Sequence, residues 1–108
     1  MVVNRFEIWL INLDPTVGKE IRKTRPCLVI SPNEANKYLD TIMGVPMTTA
    51  IRKFPTRINC TFQKKSAQIA IDQIRAWDKS RLVKKLGKLN ETTCKMVCSV
   101  LTEYFAFG

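Results

Sequence analysis

Apolar positions along the chain fall into two regimes. Up to about residue 89 they come in short runs: FEIWLINL (6–13), CLVIS (27–31), TIMGVPM (41–47), TRINCTF (56–62) and AQIAIDQIRAW (67–77). Turn-forming clusters such as DPTVG, PNEAN and QKKS separate them. Short runs rich in Ile, Val, Trp and Phe, bounded by Pro, Gly, Asn and Asp, read as strands. LVKKLGKL (82–89) reads as a last strand, DKSRL before it as a tight turn or 3₁₀ piece, and PNEAN (32–36) as a turn or one helical turn. Gly44 and Pro46 predict a bulge in the third run, or an edge at its end. Ile69, Ile71 and Ile74 change phase within the fifth, which predicts a bend near Asp72-Gln73.

The second regime begins at Asn90, a good helix N-cap, with Glu91 in the first turn where the helix dipole favours an acid. Met96, Val97, Val100, Leu101, Tyr104 and Phe105 then recur at helical spacing as one wide apolar stripe, suited to core or dimer contact. Short strands followed by one terminal helix predict a mainly β fold with one helix. The expected form is a small, strongly curved sheet or barrel with the helix packed on it. The 108 residues predict one domain, 1–108, without internal repeats.

Charge narrows the function. Eighteen Lys and Arg against nine Asp and Glu leave a net +9. That excess on so small a chain is the footprint of a polyanion partner, nucleic acid or an acidic protein. No apolar run approaches the roughly 20 residues of a membrane span, and the N-terminus lacks a signal-peptide pattern. A soluble cytoplasmic protein without membrane contact is expected. Cys27, Cys60, Cys94 and Cys98 form no CxxC pair and there is no histidine. The cysteines therefore read as reduced structural thiols, with no metal site and no cofactor.

The missing histidine also removes the usual general base near neutral pH and every Ser-His or Cys-His arrangement. No GxxxxGK[ST] loop is present for nucleotide hydrolysis. What remains is arginine and lysine flanked by hydroxyls in three segments: KEIRKTR (19–25), TTAIRKFPTR (48–57) and DQIRAWDKSR (72–81). Guanidinium donates in a fixed fork that matches phosphate oxygens. It can stabilise the extra negative charge of a phosphorane-like transition state. Each segment follows or ends a strand, so a curved sheet can bring them to one face. Each alone also fits a solvated basic loop: Arg25 can pair with Glu20, and Thr48 can satisfy its own backbone. Trp9 and Trp77 can stack on bases, but large aromatics are mostly buried, and they read as packing residues.

Together, DPTVGKEIRKTRPCLVIS, VPMTT and IDQIRAWDKSRLVKKLGKL resemble the MazF/PemK family of toxin endoribonucleases, in the same order and over nearly the whole chain. The resemblance implies an SH3-like curved β-barrel of the MazF/PemK/CcdB type with a C-terminal helix, usually a homodimer. It implies metal-independent cleavage of single-stranded RNA, in which the ribose 2′-OH attacks the adjacent phosphate and leaves a 2′,3′-cyclic phosphate and a 5′-OH. It also implies an acidic antitoxin that folds across the basic groove.

Carried over residue by residue, the arginine of the RP motif falls on Arg25 and the threonine ending the central strand on Thr48, the two expected catalytic residues. Expected RNA contacts are Lys19, Glu20, Arg22, Lys23, Thr49, Arg52, Lys53, Asp72, Gln73, Arg75 and Arg81, with Glu20 and Gln73 serving binding or site geometry. Some members carry Arg-x-Asp at the DQ segment, where this chain has Ala70 before Asp72. Others carry histidine in the first loop, where it has Lys19. The proton acceptor is thus left unassigned. Rival functions are a toxin of the same barrel that inhibits DNA gyrase or topoisomerase without cutting RNA, and a non-catalytic RNA-binding barrel.

Overall fold

Strand alternation in the middle of the chain sends Ile8, Leu28, Val45 and Met47 to one buried cluster. It sends Trp9, Ile11, Cys27, Val29 and Ile42 to another. Two-sided burial of this kind requires a cover on each face, and the rest of the fold supplies it. The computed structural model describes residues 1–13 and 23–108. The DPTVG turn and the loop positions Lys19, Glu20 and Arg22 lie outside the described residues.

The described elements are β1 (Glu7–Asn12), β2 (Thr24–Val29), α1 (Asn33–Tyr38), β3 (Thr41–Thr48), β4 (Arg57–Phe62), β5 (Lys65–Ala70), β6 (Arg75–Asp78), β7 (Leu82–Lys88) and α2 (Glu91–Phe105). The strands pair antiparallel in the order β4-β5-β3-β2-β1-β7, with β6 on β3. The first core lies under α2, whose Cys94 and Val97 pack with Ile58, Ile69 and Ile71. Trp77 and Leu82 close the second. Each fully buried aliphatic side chain contributes roughly 1.5–3 kcal/mol. The two ends of the strand order meet where Phe62 of β4 faces Gly87 of β7, within van der Waals reach of a Cβ there. The sheet is therefore curled into a half-barrel, as the short runs and single helix predict.

Gly44 and Pro46 do not mark an edge. β3 is the pivot of the sheet. Its first half pairs with β6 as far as Gly44 opposite Arg75, and its end pairs with β5 from Met47 opposite Ile69. Along the other side runs β2. Pro46 falls in the gap between β6 and β5, where a strand can lack a donor cheaply. Gly44 is required for a different reason: a Cβ there would stand 2.5 Å from the Cys27 sulfur. The predicted bend at Asp72-Gln73 is a 3₁₀ turn, Ile71–Gln73, separating β5 from β6.

The β4–β5 hairpin turns through Gln63 and Lys64, at φ 51° and 63°. A two-residue loop with both φ positive ordinarily uses Asn-Gly. Here two long side chains occupy it at a cost of roughly 1–2 kcal/mol each. In α2 the Asn90 side chain accepts from the Thr93 amide at 2.8 Å, as its cap position predicts. Of the helix stripe, Val97 is buried and Val100 and Leu101 pack on the core. Met96, Tyr104 and Phe105 stay exposed. All four cysteines are free thiols. Burial pushes Cys27 up to about 12, so it acts as a small hydrophobe.

Glu7 is the one buried acid among the described residues, 3% exposed at the start of β1. Burial alone would raise its pKa. The Asn4 amide (2.8 Å), the Lys85 ammonium (2.8 Å) and the Trp9 indole N–H (3.0 Å) override that and hold it at about 2. A carboxyl depressed in the folded state stabilises fully above its unfolded value of about 4.5, and loses that contribution as pH falls toward 2. The full gap corresponds to roughly 3 kcal/mol. Glu7→Gln should lower stability at pH 7 and shrink the loss between pH 5 and pH 2.5. Urea melts at the two pH values measure this, and an equal acid loss in both proteins would remove Glu7 from the account.

Candidate functional site

Arg25 lies in β2 opposite Ile11 of β1. The β2–β3 ladder ends at Cys27 opposite Pro46. Carried two residues further, the same register sets Arg25 opposite Thr48, and residues directly opposite in antiparallel strands share a face. The two therefore line one cleft of about 300 Å³ at the mouth of the half-barrel. Thr49, Gln63 and Lys65 supply further polar groups, and Pro26, Met47 and Phe62 supply apolar wall.

Arg25 is half-buried, and among the described residues its guanidinium makes no hydrogen bond or ion pair. The expected alternative, a pair with Glu20, lies outside the described residues. Thr48 does satisfy its own backbone: its Oγ1 accepts from the Ala50 amide at 3.1 Å. That bond uses an oxygen lone pair and leaves the hydroxyl proton to be donated into the cleft. The self-satisfying reading and the functional one are therefore compatible.

The other expected contacts divide. Lys23 and Thr49 flank the cleft strands, and Arg52 and Lys53 are exposed on the 49–56 connection. Asp72, Gln73, Arg75 and Arg81 are not among the cleft-lining residues. Asp72 accepts a bidentate pair from Arg57 at 2.8 and 3.1 Å, and a bond from Thr56 Oγ1 at 2.9 Å. The Arg57 guanidinium foremost holds this carboxyl below its ordinary range. Such a carboxylate ties β4 to the 3₁₀ turn and is a poor proton acceptor. Arg81 donates to the Leu13 carbonyl at 2.8 Å, clasping the end of β1. The Arg75 guanidinium lies 3.8 Å from the Trp77 ring centroid. Trp9 and Trp77 are buried, as packing residues should be.

One residue the sequence reading missed stands beside the cleft. Gln68 of β5 is directly opposite Thr48 and is 3% exposed. It accepts from the Arg52 amide and donates to the Arg52 carbonyl, both at 2.9 Å. A polar residue in an alternating strand gives no hint that it faces a folded-back loop.

Residues 4–105 match the model of PemK-like, MazF-like toxins of type II toxin–antitoxin systems. The chain belongs to this family. It is 33% identical over 97 residues to a protein named Endoribonuclease MazF from Staphylococcus epidermidis, covering 84% of this chain and 81% of that one. Among solved structures, MazE–MazF (Form-II) from Deinococcus radiodurans superposes with a TM-score of 0.84 at 22% identity, over 100% of this chain and 99% of that one. MazF (Form-I) from the same organism gives 0.81 at 22%, over 99% of each. A mycobacterial endoribonuclease solved with its cognate antitoxin gives 0.82 at 19%, over 98% and 99%. At such identities the structural likeness speaks for the fold, and family membership rests on the sequence match.

The Asp72 geometry carries its own expectation. Asp72→Asn should lower stability by about 1–2 kcal/mol, because it weakens a charge-assisted pair whose Arg57 side chain is only 8% exposed. Thermal melts at neutral pH check it; an unchanged melting temperature would mean the pair is idle.

Proposed function

We propose that this family member is a metal-independent endoribonuclease, the toxin of a type II toxin–antitoxin system, which cleaves single-stranded RNA in the Arg25–Thr48 cleft. The observation that carries the proposal is the convergence of those two residues, from different strands, on one open and basic cleft. The relative named Endoribonuclease MazF supports the reaction class.

In this reading the ribose 2′-OH attacks the adjacent phosphorus. The P–O5′ bond breaks, leaving a 2′,3′-cyclic phosphate and a 5′-OH. The nucleophile belongs to the substrate, so the protein's task is to hold the phosphate in line and to stabilise charge on its oxygens. Arg25 does so with its fork of N–H donors. Thr48, its oxygen already fixed by the Ala50 amide, donates its proton to a non-bridging oxygen. Lys23, Thr49, Arg52 and Lys53, with Lys19 and Arg22, contact the flanking phosphates, and Glu20 and Gln73 serve binding or geometry. No residue is assigned as base. An internal nucleophile needs no metal to generate it.

The partner in the same proposal is an acidic antitoxin, matched by the net +9 and by the mycobacterial relative solved with its antitoxin. The protein acts as a homodimer in the cytoplasm. Exposed Leu39, Met43 and Phe105, which line one groove, offer apolar surface for the dimer contact.

Single-stranded RNA should be cut in excess EDTA, and a substrate with a 2′-deoxy sugar at the mapped cut site should resist. Activity that returns only with a divalent ion defeats the metal-free reaction, and efficient cutting of the deoxy substrate means water attacks instead. Arg25→Ala should lower the cleavage rate roughly 10²–10³-fold, the usual loss of one transition-state donor. Wild-type rates in that variant would reduce Arg25 to a bystander. A protein that binds RNA or a topoisomerase but cuts nothing would move the assignment to one of the rival functions.

A further inference from the structure

The 49–56 connection has no regular secondary structure and most of its residues are exposed, yet it is fastened along its length. The cause lies in the strand order. β3 and β4 are consecutive in sequence, but β5 stands between them in the sheet, so the connection must pass over the end of β5. There it meets one row of side chains: Thr48 of β3 opposite Gln68 of β5, and Gln68 opposite Asn59 of β4. Directly opposite residues share a face, so all three point toward the crossing chain. Thr48 Oγ1 takes the Ala50 amide. The Gln68 amide takes both the N–H and the C=O of Arg52. Asn59 Oδ1 accepts the remaining Gln68 N–H at 2.8 Å, fixing which way the amide faces. Beyond this row, the Phe54 carbonyl accepts from the Arg57 amide at 3.0 Å.

We propose that Gln68 is a positioning residue for RNA. It pins the main chain of Arg52, so that the Arg52 and Lys53 side chains are presented as a preformed phosphate clamp beside Thr48. This rests on the endoribonuclease reading above and adds the device that orders its flanking contacts. A buried amide spending both its ends on a single residue of an exposed loop holds that loop in one shape. A loop held in its binding shape does not lose that conformational freedom when RNA arrives. Extended by the register that aligns Arg25 with Thr48, the row runs Arg25–Thr48–Gln68–Asn59. The clamp and the proposed catalytic pair therefore share one rigid line across the sheet.

The test compares Gln68→Met, which keeps the volume and removes the hydrogen bonds, in two backgrounds: the natural chain and Arg52→Ala/Lys53→Ala. In the natural background, KM for a single-stranded RNA substrate should rise about tenfold while kcat stays within about threefold, the signature of lost uniform binding. The salt dependence of binding should also flatten, as phosphate contacts loosen. In the doubly substituted background Gln68→Met should leave KM unchanged, although it still lowers the melting temperature. Hydrogen exchange at the Arg52 amide, read without RNA, should accelerate on Gln68→Met. Should that variant fail to fold, Gln68→Glu serves: it keeps the acceptor for the Arg52 N–H and loses both donated bonds. An equal KM rise in both backgrounds would show a general structural role and overturn the proposal. So would an unchanged KM despite faster Arg52 exchange. A natural chain that cuts no RNA at all would overturn the endoribonuclease reading, and this proposal with it.

Discussion

Everything in this fold turns on one close approach, that of β2 to β3 at Cys27 and Gly44. β3 must pair with β6 over its first half and with β5 at its end, while keeping β2 on its other side from Gly44 to Pro46. A strand serving two partners has to twist strongly, and the Cys27 sulfur occupies the space a Cβ at position 44 would need. Two cores depend on that contact, because Cys27 faces one and its neighbour Leu28 faces the other. The cleft depends on it as well. Arg25 and Thr48 each lie two residues beyond the last pair of this ladder, Cys27 and Pro46, so the register there sets their spacing.

Acids and bases have been divided unequally between architecture and surface. Glu7 is buried at the start of β1, bonded to Asn4, Trp9 and Lys85, and Asp72 is committed to Arg57 and Thr56. Among bases, Arg57, Arg81 and Lys85 are committed to partners within the protein. The cleft and its flanking loop keep Arg25, Lys65, Arg52 and Lys53 with no carboxylate among the described lining residues. A net charge of +9 is thus locally sharper than the total suggests, at the one place where phosphate is proposed to bind.

The strands, the terminal helix with its Asn90 cap, and the bend at Asp72-Gln73 were all legible in the sequence, because period, turn chemistry and capping are local. Arg25 and Thr48 stood out only through the family pattern, since each alone also fits a solvated loop or a strand end. What local pattern could not reveal is where long side chains are spent. Arg81 reads as one more loop cation, but it bonds a carbonyl 68 residues away. Asp72 reads as a site acid, but its partner Arg57 lies 15 residues upstream. Gln68 looks like an incidental polar residue until strand order brings Arg52 over it. Pro46 reads as a bulge or an edge for the same reason: its tolerance comes from a change of partner strand, which is a property of topology.

The Gln63–Lys64 turn sets two selective pressures against each other. Its left-handed backbone is the place where asparagine and glycine would relieve strain at the least structural cost, so a search for heat-resistant variants would converge there. Yet Gln63 forms part of the cleft wall, and Lys64 adds charge beside it. Replacing them would trade surface beside the proposed RNA cleft for a quieter backbone. A library sorted on endurance and a library sorted on toxicity should therefore diverge at this tip, while agreeing almost everywhere in the two cores.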